Sequence, residues 1–228
     1  ATTRPHLGLT YRYTDNPLNR FRHHIEVRME LEVGRVHIRP SIDLEAELKR
    51  RNIGLELGTR LLGTSIVSDH LSIGARLARW ENEVDGWAAQ TSMLYVDGRL
   101  DIGRFIPSLR RFFIFNRTGY GIAGYQLSSR ANNVPAILSE VSLVDTWIYL
   151  ESGAALSIGT GTDLSLALVQ DPTGVVSPLN LSSALMASTA SEVVAMQLHH
   201  RYEDDAGIEV KLVFGQGFGI WLGLEYAL

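Results

Sequence analysis

Charged side chains recur at every second position in several stretches of the 228-residue chain. In residues 25–33, for example, glutamate or arginine occupies alternate positions and apolar residues occupy the others. The candidates for lining a polar interior or pore are Glu26, Arg28, Glu30, Arg39, Asp43, Glu45, Glu56, Arg60, Arg76, Glu209 and Lys211. Since both signs are present, these side chains either pair across strands and serve the structure, or form charged rings that select a polar solute.

Four further arginines lie among aromatic residues in the stretch 100–126, and they are Arg104, Arg110, Arg111 and Arg117. If this stretch folds into the interior, the guanidinium groups could bind a carboxylate or phosphate and form a constriction or solute-binding site. The alternative is that the aromatic rings mark a membrane interface and the arginines face anionic headgroups. The sequence leaves both open.

Histidines suggest two other kinds of chemistry. His199 and His200 precede an acidic run at 203–205, which is part of what a lipid hydrolase needs, but no serine lies between Gln197 and Leu228. His23, His24 and His37 could bind a metal only if they converged, and adjacent strand residues point to opposite faces. The chain has no cysteine, which excludes thiol nucleophiles and cysteine-ligated metals. We therefore predict no catalytic residue, metal site or cofactor.

The elements that carry these residues are predicted to be strands. Alternation with a period of two persists over ten or more residues at a time, and no stretch comparably favours a helical period. Turn signals such as Asp97-Gly98 and the stretch 171–174 separate the runs. We predict an all-β chain, with about 12 antiparallel strands (10–14) in a single domain over residues 1–228. Two regions depart from the pattern: 100–126, where parity slips, and 170–191, which is predicted to be a loop with a short helix at 182–186.

Composition alone looks like that of a soluble protein. Hydrophobic residues make up 45% and charged residues 20%, with a net charge of −4 and a mean hydropathy of +0.03. These values exclude a disordered chain, a basic nucleic-acid binder and a membrane-spanning helix. They do not exclude a transmembrane barrel, because in such a barrel half of each strand faces lipid while the average stays near zero.

The direction of the apolar face is indicated by the last strand. Phe218, Ile220, Leu222, Leu224, Tyr226 and Leu228 alternate up to the last residue. This pattern resembles the C-terminal strand of bacterial outer-membrane β-barrel proteins. The resemblance implies an up-and-down transmembrane β-barrel whose segment from Phe218 to Leu228 is read by the barrel-assembly machinery. A start at Ala1 is expected for a mature chain whose signal peptide has been removed.

Residues 9–27 also resemble the first hairpin of the small oligosaccharide-specific porins of about 12 strands. That resemblance implies passage of acidic oligosaccharides along an arginine-lined wall. The function predicted from the sequence is a passive channel in the bacterial outer membrane for small polar or charged solutes, surrounded by outer-membrane lipid. The first alternative is a structural or complex-forming barrel, closed by its own ion pairs or by a protein partner. An outer-membrane lipid hydrolase is the third.

Overall fold

The computed structural model describes residues 5–15, 23–45, 50–63, 69–82, 87–127, 142–170, 192–202, 206–214 and 218–228. These residues form twelve strands: β1 (His6–Asp15), β2 (His23–Val33), β3 (Val36–Glu45), β4 (Arg50–Gly63), β5 (His70–Asn82), β6 (Trp87–Asp101), β7 (Phe112–Leu127), β8 (Ser142–Gly159), β9 (Thr162–Gln170), β10 (Glu192–Tyr202), β11 (Ala206–Phe214) and β12 (Phe218–Ala227). Two short 3-10 helices, Ile102–Arg104 and Pro107–Leu109, join β6 to β7. No helix among the described residues is long and apolar enough to cross a membrane.

Each strand pairs antiparallel with its neighbours in the chain, and β1 pairs with β12 to close the barrel. The closing pair runs without a break from His6 opposite Ala227 to Asp15 opposite Phe218. Closure leaves no free sheet edge, so the strands satisfy their backbone hydrogen bonds among themselves. The predicted up-and-down barrel of about 12 strands is confirmed.

The apolar residues face outward. On β6, Leu94 is 70% exposed, whereas Met93 and Tyr95 on either side of it are 7% and 3% exposed. The same alternation holds along the other strands, and their exposed positions are occupied mainly by Leu, Ile and Val. Strands of 9 residues in β9 to 18 in β8 are long enough to cross a bilayer at a tilt. The outer wall is therefore suited to hydrocarbon and the inner wall to polar groups.

The two ends of the barrel differ in their connections. Tight turns containing Gly34 (φ 64°) and Gly161 (φ 76°) join β2 to β3 and β8 to β9 at one end. At the opposite end, the connections at 128–141 and 171–191 are much longer in sequence. Outer-membrane barrels have short periplasmic turns and longer extracellular loops. On this criterion the end with the Gly34 and Gly161 turns is the periplasmic end, and the opposite end is the extracellular end.

The structure differs from the sequence pattern in two places. Asp97 and Gly98, predicted to form a turn, lie inside β6, because the Asp97 carboxylate has cationic partners on the inner wall. The parity slips in 100–126 arise because β6 ends at Asp101 and β7 begins at Phe112 after the two 3-10 helices. The loop and helix predicted within 170–191 lie outside the described residues, except for Gln170, which ends β9.

Candidate functional site: the barrel lumen

The predicted pore-lining residues stand on the inner-facing positions of their strands. This holds for Glu26, Arg28, Glu30, Arg39, Asp43, Glu56, Arg60, Arg76, Glu209 and Lys211, each of which alternates with exposed or half-buried neighbours that face out. Glu45 ends β3, and its side chain is outside the described part of the structure. The structure thus places these side chains on the inner wall, and their role in lining a conducting pore stays a prediction.

The centre of the lumen is organised around Glu56 on β4. Its carboxylate accepts hydrogen bonds from Arg39 Nη1 and from the Tyr95 hydroxyl, both at 2.9 Å. Arg117 Nη1 lies 3.6 Å from the other carboxylate oxygen. Arg39 also donates to Glu30 at 2.8 Å, so charges of opposite sign alternate through the cluster. We call these five residues the Glu56 network.

Arg117 connects strands that are not neighbours. It stands on β7 and reaches Glu56 on β4, and it also donates to Asp97 on β6 at 3.3 Å. A similar link joins Arg99 on β6 to Asp163 on β9 at 3.8 Å. Because these pairs skip strands, they cross the lumen rather than follow its wall. Ion pairs of the protein's own side chains therefore occupy much of the side of the lumen that is formed by β12, β1 and β2 to β7.

Further ion pairs line the rest of this side. Arg12 contacts Glu26 and lies 3.6 Å from Asp43. Arg28 Nη2 donates to Glu225 on β12 at 2.8 Å. Near the periplasmic end, Arg60 contacts Glu32 and donates to the Gly34 carbonyl at 3.0 Å, which ties the β2–β3 turn to β4.

Arg76 and Lys211 on the inner wall stand outside these pairs. Among the described residues, no carboxylate lies within 4.0 Å of Arg76 or of Lys211. The Lys211 ammonium instead lies 4.5 Å from the centre of the Trp221 ring, and the Arg12 guanidinium lies 4.8 Å from the same ring. Neither cation therefore forms a close ion pair, although Arg76 stands opposite Glu56 in the β4–β5 register.

A cavity of about 250 Å³ lies between these groups. Its charged lining consists of Arg12, Arg28, Arg39, Arg76, Arg117 and Lys211 against Glu26 and Glu56. A second cavity, of about 220 Å³, shares Ala195 and Lys211 with the first and includes Arg99, Glu151 and Asp163. Although the chain carries a net charge of −4, the first cavity has more cationic than anionic side chains.

The other side of the lumen lacks charge along one complete row. Residues paired across six consecutive strands, β7 to β12, are Phe115, Gly153, Ala167, Ala195, Val213 and Gly219. Ala167, Ala195 and Val213 are buried together with Val169, and Phe115, Tyr149 and Trp221 pack against them. We call the six paired positions, from Phe115 on β7 to Gly219 on β12, the uncharged row. Apart from Phe115, the row consists of glycine, alanine and valine.

The four arginines predicted to form a constriction are separated by the fold. Arg117 lies in the lumen within the Glu56 network. Arg104, Arg110 and Arg111 are exposed in the β6–β7 connection at the periplasmic end, and the side chain of Arg104, 65% exposed, contacts Asp69 at 2.7 Å. The four arginines are separated because β7 begins at Phe112. Only Arg117 belongs to this strand and takes its place on the inner face.

Sequence reasoning did not place Tyr95, Asp97 or His37 among the lumen residues. His37 Nε2 lies 3.0 Å from the Tyr95 hydroxyl, which in turn donates to Glu56. Asp97 and Gly98 together have the composition of a turn, and Tyr95 is an uncharged residue between a leucine and a valine. Neither feature suggests a residue of a charged lumen. The parity of Tyr95, Asp97 and Arg99 against Leu94, Val96 and Leu100 was the signal that could have found them.

The histidines do not assemble a catalytic or metal site among the described residues. His199 faces inward, 3.8 Å from Glu225, whereas His200 faces outward and lies 2.7 Å from the Thr162 hydroxyl. No described carboxylate lies within 4.0 Å of His200, and residues 203–205 are outside the described part. The described residues contain no group of three metal-ligating side chains. His23 Nδ1 and the Tyr11 hydroxyl form a hydrogen bond of 2.6 Å on the outer wall, whereas His37 lies on the inner wall beside Tyr95.

No protein-family model matches this chain, and no curated protein matches it. Several solved structures match it in fold. The KdgM porin aligns over 98% of this chain and 99% of its own, with a TM-score of 0.58 and 7% identity. The NanC porin aligns over 97% and 100%, with a TM-score of 0.56 and 8% identity. The chain has the fold of an outer-membrane porin. An outer membrane channel from Pseudomonas putida F1 shares this porin-like fold, with a TM-score of 0.56, 9% identity and coverage of 100% and 96%.

The porin-like barrel belongs in the bacterial outer membrane. Its outer wall exposes large apolar side chains on all sides, which only hydrocarbon can cover over so wide an area. Aromatic side chains mark the rim near the extracellular end, where the Phe214 and Phe218 rings lie 5.5 Å apart and Tyr13 lies 5.4 Å from His23. Aromatic girdles of this kind sit at the membrane interface. Outer-membrane lipid therefore surrounds the barrel.

Proposed function

We propose that this chain is a passive outer-membrane channel for small polar or charged solutes, and that it prefers anions. The observation that carries the proposal is the cavity of about 250 Å³ inside the barrel, whose lining includes the cations Arg76 and Lys211. Rings of fixed charge determine which ions a wide pore admits. An excess of cations at the narrow part of a lumen attracts anions and repels cations.

The anion preference rests on how the charges are paired. Arg39 and Arg117 are neutralised by Glu30, Glu56 and Asp97 within hydrogen-bonding or ion-pair distance. Arg76 and Lys211 have no such neighbour among the described residues. Their fields extend into the cavity, where solute passes, and the low-dielectric wall weakens them less than bulk water would.

The test is ion selectivity in planar bilayers. The purified barrel is expected to give discrete conductance steps, and its reversal potential in a KCl gradient should show that chloride is more permeant than potassium. Arg76→Gln should reduce the anion preference several-fold. Arg79→Gln is a matched control, because Arg79 is on the same strand but faces out and pairs with Glu81 at 2.7 Å. A preference for potassium, or equal effects of the two variants, would refute the anion preference.

A closed barrel is the second candidate. It is supported by the pairs that cross the lumen, from Glu56 to Arg117 and from Arg99 to Asp163. Such a barrel would act as a scaffold or hold a protein partner. It would fold and insert but give no conductance steps, so the same bilayer recording distinguishes the two candidates.

We also propose that the barrel is not an enzyme. His200 has a hydroxyl neighbour in Thr162, but no described carboxylate orients the imidazole as a hydrolase triad requires. Fatty acid release from phospholipid by the purified barrel, lost in His200→Ala, would contradict this part of the proposal.

A further inference from the structure

The cavity of about 250 Å³ has two unlike walls. On one side are the guanidinium groups of β1 to β5, together with Arg117 and the Glu56 carboxylate. On the other side are Val169, Ala195 and Val213, with the Tyr149 and Trp221 rings beside them. A lumen built only for hydrated ions or sugars has no use for an apolar wall, because water and hydroxyl groups find no hydrogen-bond partners there.

We propose that the preferred solutes are small amphipathic anions, in which one carboxylate is attached to an apolar body such as a single aromatic ring or a short branched chain. This inference rests on the proposed channel function and names its solute class. The carboxylate would pair with Arg76 or Lys211, and the apolar body would lie against Val169, Ala195 and Val213.

The pairing of charges fixes the sign of the solute. The cavity lining has six cationic side chains and two carboxylates, and Glu56 is already engaged by Arg39 and Tyr95. Glu26 is likewise in contact with Arg12. What remains for a solute is the positive charge of Arg76 and Lys211, and a carboxylate would pair with one of the two.

The apolar wall fixes the rest of the solute. Val169, Ala195 and Val213 line this side of the cavity, and none of them carries a polar side-chain atom. The Trp221 ring forms the edge of this wall and lies next to the Lys211 ammonium, so an apolar surface and a cation are within a few ångströms of each other. A hydroxylated carbohydrate acid would lose hydrogen bonds to water on this wall, whereas an aromatic acid would lose none.

Cavity size limits the solute to one ring or a short chain. Pockets for drug-sized ligands occupy roughly 300–1,000 Å³, and this cavity occupies about 250 Å³. An oligosaccharide would need the Glu56 network to open, but a monocyclic carboxylate would not.

The experiment compares two monocarboxylates that differ in polarity, benzoate and gluconate. Reversal potentials in planar bilayers, with KCl on one side and the potassium salt on the other, give the permeability of each anion relative to chloride. Benzoate is expected to be about fivefold more permeant than gluconate, the equivalent of about 1 kcal/mol of apolar contact.

The variant that tests the wall is V169T/V213T, which replaces methyl groups by hydroxyls with little change in shape. It should lower the benzoate-to-gluconate permeability ratio to about the ratio of the two anions' mobilities in free solution. The matched control, V194T/V210T, makes the same changes on the outer faces of β10 and β11 and should leave the ratio unchanged. Equal permeability of the two anions in the unmodified barrel, or a ratio that V169T/V213T does not change, would overturn the inference while the channel function stands.

A second readout does not depend on conductance. Benzoate should quench the fluorescence of the purified barrel in detergent micelles, and Trp221→Phe should remove that quenching although three other tryptophans remain in the chain, which has four in all. If the barrel shows Trp221-dependent quenching but gives no conductance, the cavity is supported as the binding site for amphipathic anions and the channel function is refuted. The absence of Trp221-dependent quenching would count against the cavity as the solute site.

Discussion

Glu56→Gln tests whether the crossing ion pairs hold the lumen together. The substitution keeps the shape of the side chain and removes its charge. It leaves the Arg39 and Arg117 guanidinium groups facing an uncharged amide in a part of the lumen where the Glu56 side chain is only 12% exposed.

The magnitude follows from the contacts that are lost. At an effective dielectric constant of about 20, a carboxylate attracts a guanidinium at 2.9 Å by roughly 6 kcal/mol and one at 3.6 Å by roughly 5 kcal/mol. Most of this gain is offset by the cost of removing the three charges from water. Breaking a buried pair by neutralising one partner typically costs about 3–5 kcal/mol, and we expect Glu56→Gln to lower the free energy of unfolding by about that amount.

The assay is reversible unfolding of the barrel by denaturant in detergent micelles, followed by the shift between folded and unfolded mobility on gels. Glu209→Gln is the matched control, because Glu209 also faces inward but has no cationic side chain within 4.0 Å among the described residues. It should change the free energy of unfolding by less than about 1 kcal/mol. If the two variants unfold at the same denaturant concentration, the Glu56 network does not stabilise the barrel and the reasoning fails.

Three further outcomes are expected. Arg117→Ala should raise single-channel conductance, because it removes a side chain that crosses the lumen, whereas R104A/R110A/R111A should leave conductance unchanged; equal effects would contradict the separation of these arginines. Gly74→Ala should lower the free energy of unfolding by about 1–3 kcal/mol because a Cβ there would overlap the Tyr95 phenol. Gly124→Ala, with no heavy atom within 4 Å of its new Cβ, is the control, and an equal loss in both would refute the overlap. Tyr226→Ala should slow insertion by purified assembly machinery more than Tyr202→Ala, another outward tyrosine, and equal rates would remove Tyr226 from the assembly signal.

Much of the architecture could be predicted from spacing. The alternation of Glu26, Arg28 and Glu30 with apolar residues separates the two faces of a strand, and its repetition along the chain gave the number of strands. Local turn signals were less dependable. Asp97-Gly98 has the composition of a hairpin turn, yet Arg117 on the neighbouring strand holds its carboxylate within the wall.

The candidate site was predictable only in part. The inner-facing charges were identified because parity is a local property. Tyr95 was not, because its role depends on Glu56 two strands away and on the space left by Gly74. The same limit applies to the uncharged row, whose members are far apart in the sequence.

By itself, the sequence determined which residues share a face, because the period of a strand is fixed by backbone geometry. It also determined that the faces are long enough for a bilayer. Only the tertiary structure decided which charges neutralise one another and which remain available, because closure of the barrel sets the distances across the lumen. Arg117 and Arg76 are both inner-wall arginines in the sequence pattern. The fold brings Glu56 and Asp97 within ion-pair distance of Arg117, whereas Arg76, opposite Glu56 in the register, has no carboxylate within 4.0 Å among the described residues.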